Sequence, residues 1–289
     1  MKSIGMVGVN TYHAQAFTRI FNGQGDDAPT VPAGRITHVW SGEYTERLAE
    51  LEGMFGPYDN VVTTPEEMIG AVDAVLIIDD TDGGKRHKEL AEPFLRAGIP
   101  TFIDKPMTTE LAEAVALFDL AERHDAPLLS GSALRFSAEL DDYDAAAIGK
   151  PSAIVSVGPG EWFYYGIHAV ELALTLSPAR PVAVQRTQNE QKDVVVVEMD
   201  DESILTIMTL RDAKYIFQAS VYGSEGAATI DVEDYLGFYS NEMKAVVEMI
   251  DSRQPATKRE QSLDVLGVLH AGILSGNENR RVEIREVLP

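Results

Sequence analysis

The sequence predicts an α/β protein of two domains: a doubly wound parallel sheet over residues 1–132, then an α/β domain with a largely antiparallel open sheet over residues 133–289. Three observations carry this expectation. Through residue 131, short apolar runs alternate with amphipathic stretches of about 10–15 residues, the pattern of right-handed crossovers between parallel strands. The later runs "SAIVSVG", "PVAVQRTQ", "DVVVVEMD", "SILTIMTLR" and "YIFQASVYG" are apolar or alternate with period two, with turns about every 8–12 positions. A chain of 289 residues is long enough to bury two cores.

The elements follow in order. Residues 3–9 read as an apolar strand ending at Gly8, and "NTYHAQAFTRIFN" (10–22) places Ala14, Phe17 and Ile20 at helical spacing. A polar loop with Pro29 and Pro32 leads to strand 35–40, and the helix over 44–55 is stopped by Gly56-Pro57. Thr64-Pro65-Glu66-Glu67 is a helix start, with a capping threonine, proline at the first position and acids in the first turn. "AVLII" (74–78) is a buried strand, and the helix from about His87 to Ala97 ends at Gly98. After strand 99–103, Thr108 or Thr109 caps a helix to about His124, and "APLLSG" (126–131) is the last strand of the set. Asp200-Asp201-Glu202-Ser203 and Gly223-Ser224-Glu225-Gly226 supply turns between the later strands.

Composition removes several function classes. Only 24 Lys and Arg face 46 Asp and Glu, a net charge of -22, so nucleic acid and anionic membrane surfaces are poor partners. The acids are dispersed and read as solubility. Cysteine is absent, which excludes disulfides and thiolate chemistry. No apolar run reaches the roughly 18 residues of a membrane span. "MKSIGMVGVN" reads as a strand and a glycine turn instead of a signal peptide, so a cytoplasmic location is expected. The histidines His13, His38, His87, His124, His168 and His270 show no paired ligand spacing, and no metal is expected.

Two places carry chemistry. Asp104-Lys105-Pro106 leaves a buried strand at the end where open parallel sheets bind ligands, and a lysine there can donate a charged hydrogen bond or shift its pKa. The opening turn, Gly8-Val9-Asn10-Thr11-Tyr12-His13, keeps only the first of the three glycines of a dinucleotide fingerprint. Asn10 reaches positive φ more easily than most residues. His13 at the third position demands a wider gap between helix and strand. The helix start still offers free N–H groups to a phosphate.

"VGVNTYHAQAF", the frame from His87 to Gly98, Asp104-Lys105-Pro106, "LRF" (134–136), "IGKPSAIVSV" (148–157), "YYGIHAVELALTL" (164–176) and "YGSEGAATI" (222–230) occur in one order. Together they resemble the glucose–fructose oxidoreductase, inositol dehydrogenase and rhizopine catabolism family (Gfo/Idh/MocA) over essentially the whole chain. The resemblance implies a Rossmann-type dinucleotide domain, a substrate and oligomerisation domain, and hydride transfer between NAD or NADP and a carbinol or carbonyl of a sugar, cyclitol or related polyol. It implies Lys105 and His168 as catalytic residues; Tyr164, which departs from the family frame, would complete a proton relay through its hydroxyl. Gly8, Val9, Asn10, Thr11, Tyr12, His13, Ser41, Glu43, Asp79, His87, Asp104 and Lys105 would line the cofactor. Arg135, Trp162 and Tyr165 would meet substrate. It further implies a homodimer or homotetramer through the second sheet.

The departures from the family frame matter. Asp104 stands where the family has glutamate, one methylene longer. Tyr164 stands four residues before His168, where family dehydrogenases commonly have an aspartate, and a phenol is not an anion at neutral pH. The strand before Ser41-Gly42 ends without the acid that would bind the ribose of NAD, and Glu43 follows slightly late. NAD is therefore preferred only slightly over NADP. The alternative is a nucleotide-binding sensor or assembly protein of the same fold with little turnover.

Overall fold

β1 (Lys2–Val7), α1 (Tyr12–Asn22), β2 (Gly34–Trp40), α2 (Thr45–Phe55), β3 (Asn60–Val61), β4 (Ala74–Ile77), α3 (His87–Arg96), β5 (Thr101–Ile103), α4 (Leu111–Arg123) and β6 (Leu128–Ser130) form the first sheet and its helices. The computed structural model describes residues 1–25 and 28–288. The sheet order is β3-β2-β1-β4-β5-β6 with every pair parallel, so the winding reverses between β1 and β4. Ligands bind at such a reversal, outside the carboxyl ends of the strands. β4 and β5 are buried along their whole length, which is why they read as unbroken apolar runs. Phe17 and Ile20 on α1 and Phe94 on α3 are fully buried.

Two local expectations are corrected. Thr64-Pro65-Glu66-Glu67 has its capping box, yet the segment makes only one 3₁₀ turn (Pro65–Met68) before Ile69 turns extended and Gly70 takes φ +84°. Neither Thr108 nor Thr109 caps α4: the Thr108 hydroxyl donates to the Glu110 carbonyl at 2.8 Å, and the helix begins at Leu111 with Glu110 in the cap position.

α5 (Ala145–Ile148), β7 (Pro151–Pro159), α6 (Gly166–Leu176), β8 (Pro181–Gln188), β9 (Lys192–Met199), β10 (Ile204–Leu210), β11 (Phe217–Gly223), β12 (Ala227–Val232), α7 (Tyr235–Ser252), α8 (Arg259–Glu278) and β13 (Val282–Glu283) follow. The second sheet is ordered β12-β11-β7-β10-β9-β8-β13; β7 and β10 pair parallel and the other pairs are antiparallel. α6 and α8 pack on this sheet and on each other. β9 alternates buried and exposed along its length, with Val195 and Val197 inward and Val194 and Val196 outward. That outer face also exposes Val182, Ile204 and Tyr222.

The chain divides into two compact units. The first joins Met1–Gly131 with Tyr239–Lys258, and the second joins Ser132–Phe238 with the residues from Arg259 onward. Most of α7 thus folds with the first sheet, a return that a single division at 132/133 does not describe. Among the described residues, no helix is long and apolar enough to cross a membrane.

Candidate active site

In the first unit the strand exits supply the polar groups. Gly8 follows β1 with φ +101°, and a Cβ there would lie 2.5 Å from the backbone of Asp79, so only glycine lets the exits of β1 and β4 approach this closely. Thr11 caps α1 by accepting from the His13 amide at 3.3 Å. The Asn10 side chain turns toward the exit of β4, accepting from the Asp80 amide at 3.0 Å and donating to the Thr81 hydroxyl at 3.3 Å. A side chain at the second glycine position is therefore used to tie two loops together.

Asp104 and Lys105 are both buried at the exit of β5. One Asp104 oxygen accepts from the Lys105 amide at 2.7 Å, and the other lies 2.5 Å from Nδ1 of His13. Nε2 of the same ring is 2.9 Å from the hydroxyl of Tyr239 on α7. Burial alone would raise the Asp104 carboxyl, but the contact with His13, helped by Lys105 and His87, holds it below the usual aspartate range. For Lys105, burial is the largest influence and pushes the amine down, against the pull of Asp104, Asp80 and Glu242.

Two buried acceptors nearby lack a protein partner. Oδ1 of Asp79 accepts from the Thr81 amide at 3.2 Å, while its Oδ2 is unsatisfied. Nδ1 of His87 is 3.0 Å from the Pro106 carbonyl and must carry the hydrogen there, which leaves Nε2, an acceptor in the neutral ring, unsatisfied. Buried orphans are costly, and a ligand that donates to them would remove the cost.

In the second unit α6 carries His168. Its Nδ1 lies 2.6 Å from the hydroxyl of the fully buried Ser132, whose oxygen also accepts from the Leu134 amide at 3.2 Å. The imidazole packs against Phe217 at 5.3 Å and Tyr165 at 6.1 Å between ring centroids. Tyr164 contacts Tyr165, which meets Tyr215 edge-on. Burial pushes the Tyr215 phenol up to about 12, with Tyr165 and Tyr235 adding to it.

Several expected substrate and cofactor residues are placed elsewhere. Trp162 is a core residue: it is 2% exposed, its indole N–H donates to the Leu269 carbonyl at 2.9 Å, and Gly166 and Gly272 let backbone approach its ring. An aromatic run does not reveal which ring turns inward. Nε of Arg135 is 2.5 Å from Glu171, one turn beyond His168, so its guanidinium serves a buried ion pair. Both nitrogens of His13 face protein groups. Val9 is buried, Tyr12 is 65% exposed, Ser41 is buried and Glu43 is exposed. Arg47 is engaged by Glu50 and Gln15, whereas Arg86 stacks over Trp40 at the end of β2. The sequence reading missed Ser132, Tyr239 and Glu171; the i, i+3 pairs Ser132/Arg135 and His168/Glu171 were the available signal.

Residues 2–132 match the family model described as "Oxidoreductase family, NAD-binding Rossmann fold". That model is the one of the Gfo/Idh/MocA family, and it covers the first sheet and its helices. Over 76 residues the chain is 38% identical to the myo-inositol dehydrogenase Hyg17 of Streptomyces leeuwenhoekii, covering 26% of this chain and 22% of that protein, so less than a quarter of that relative is spanned. Solved structures extend the likeness to the whole fold. A probable dehydrogenase from Thermotoga maritima has TM-score 0.84 and 21% identity, with 99% of each chain covered. A scyllo-inositol dehydrogenase from Lactobacillus casei, with bound NAD(H) and scyllo-inositol, has TM-score 0.82 and 16% identity, again over 99% of each chain.

The residues of this domain fit a dinucleotide. Gly8 keeps the first turn tight, α1 presents its N-terminal amides, and the orphaned Asp79 and His87 acceptors call for a ligand rich in hydroxyl or amide donors. Ribose hydroxyls and a carboxamide are such donors.

Proposed function

We propose that the protein is an NAD-dependent oxidoreductase acting on a carbinol or carbonyl carbon of a sugar, cyclitol or related polyol. The observation that carries this reading is Lys105, a buried amine that follows a buried acid at the carboxyl end of a Rossmann-domain strand and feels its charge. The backbone of Gly8, Val9, Asn10, Thr11 and Tyr12 would hold the pyrophosphate, Glu43 a ribose, and Asp79 and His87 the donors nearer the nicotinamide. NAD supplies the acceptor for the hydride that leaves the carbinol carbon. His168 takes the hydroxyl proton: with Nδ1–H donating to Ser132, its Nε2 is the base. The charged Lys105 stabilises the negative charge developing on the substrate oxygen. Tyr164 and Tyr165 offer hydroxyls and ring faces to a polyol.

The outward face of the second sheet, with Val194, Val196 and Ile204, is the surface on which a second copy would dock. Apolar side chains exposed on a chain of net charge -22 favour self-association there over solvent, with Lys192 and Glu198 at the ends of the β9 row.

Titrating NADH fluorescence and then screening inositols and sugar alcohols for NAD reduction tests the function. The expected result is micromolar cofactor binding and reduction with at least one polyol. Binding with no turnover across the panel supports the second reading, a nucleotide-binding sensor, which the tyrosine at position 164 favours. Absence of binding overturns both.

A further inference from the structure

We propose that His13 is a positioning residue: its imidazole, held by Tyr239, keeps Asp104 ionised and in register beside Lys105, so that the histidine at the third fingerprint position and the short acid of the lysine motif work as a matched pair. This rests on the reading that Lys105 serves the chemistry, and it adds what sets Lys105 in place.

The geometry is that of a relay with no spare contacts on the ring. His13 is in the first turn of α1, directly after the turn that would receive the pyrophosphate, and is 9% exposed. Asp104 lies 91 positions away at the exit of β5 and is 6% exposed. Nδ1 of the ring faces the Asp104 carboxylate, which accepts but cannot donate, so Nδ1 carries a hydrogen. The Tyr239 hydroxyl at Nε2 donates to the neutral ring or accepts from the charged one; in both cases it locks the orientation. Phe17 and Tyr239 pack on the ring at centroid distances of 5.6 and 5.1 Å and close it from water.

A third glycine would leave this space empty, and a glutamate at 104 would extend one methylene further into it. Histidine and aspartate together fill the gap with a hydrogen bond. The other oxygen of Asp104 receives the Lys105 amide, so the same carboxylate joins the start of α1 to the backbone of the lysine. The titratable groups around Asp104 are His13 from α1, Lys105 on its own segment and His87 from α3; Lys105 in turn feels Asp80 and Glu242. Remove His13 and burial acts on the carboxyl with its main counterweight gone, so Asp104 takes up a proton at higher pH.

The test uses the full chain as wild type, H13G, H13N, Y239F, D104E and H13G/D104E. The ¹³Cγ resonance of Asp104, assigned with D104N, is followed against pH, and NADH dissociation constants are measured at neutral pH. The Asp104 midpoint should rise by at least about one pH unit in H13G and less in Y239F, while H13N, whose amide still donates at the place of Nδ1, recovers part of the shift. H13G and D104E should each weaken NADH binding about tenfold, and the double variant should return to within about threefold of wild type. An unmoved Asp104 midpoint in H13N and Y239F, or losses that multiply in H13G/D104E, would overturn the proposal. If H13G does not fold, H13N and Y239F decide. The titration needs no substrate, so failure to find turnover leaves this result readable, and an unmoved Asp104 leaves the dehydrogenase reading intact.

Discussion

The Ser132 hydroxyl lies 2.6 Å from Nδ1 of His168, a neutral group on the ring nitrogen where an orienting carboxylate is common in histidine bases. Ser132 is fully buried, so the contact holds the imidazole against Phe217 without placing a charge beside it. S132A should lower kcat about 10-fold to 100-fold with little change in KM, because the ring loses its orientation, and S132T should keep most of the rate. S132D places an anion beside the ring and stabilises the imidazolium, so the acid limb of kcat/KM should move to higher pH. Initial-rate profiles of the three variants check this.

Lys105 is expected to matter to rate more than to cofactor binding. K105A should retain NADH affinity within a few fold and lose about 10²-fold to 10⁴-fold in kcat. Its amine is held below the usual lysine value of 10.5, chiefly by burial, so the charged form is lost as pH rises through that lowered value. The alkaline limb of the wild-type rate should therefore fall earlier than an ordinary lysine would allow. A limb at or above the ordinary value would remove Lys105 from that role.

The strands and helices of the first unit were largely legible because their burial is one-dimensional: β4 and β5 are covered on both faces and read as apolar runs. What could not be read were contacts between distant positions. His13 and Asp104 each look out of place against the family frame, and only the fold shows that they meet. The helix expected after Thr64 shrinks to one turn because Gly70 follows too soon. Trp162, expected to meet substrate, turns inward against two glycines that lie 4 and 110 positions further along. Tyr239, the partner of His13, lies on α7, 226 positions away in a stretch without a motif.

Asp193 is fully buried between Arg186 and Arg211, with Nε and Nη2 of Arg186 at 2.9 and 2.7 Å, Nη1 of Arg211 at 2.7 Å and the Thr209 hydroxyl at 2.8 Å. Burial would raise its carboxyl, but Arg211, Thr209 and Arg186 outweigh this and hold it below the usual range. A folded-state value below the unfolded one adds stability above about pH 4, and that contribution is lost as pH falls through the folded value. D193N should cost about 3 kcal/mol at neutral pH and give a flatter acid limb in urea-unfolding stability against pH. Equal acid slopes in the two proteins would contradict the assignment.

Cofactor choice rests on the end of β2. Glu43 is exposed there, and Arg47 is occupied by Glu50 and Gln15. NADH should bind at least about 10-fold more tightly than NADPH, and E43A should narrow the gap by weakening NADH. Fluorescence titration with both cofactors measures it. Tighter binding of NADPH would point to Arg86, beside Trp40, as a phosphate ligand.

Under the proposed function a hydride passes directly from a polyol carbon to the nicotinamide, with His168 taking the proton. The most direct measurement is deuterium tracing: wild type, K105A and H168A are incubated with NAD and an inositol deuterated at its carbinol carbons, and the nicotinamide is read by NMR. Label is expected at C4 of the reduced nicotinamide from wild type and at least about 100-fold less from either variant. Reduced cofactor carrying no label, or equal labelling by all three proteins, would contradict it.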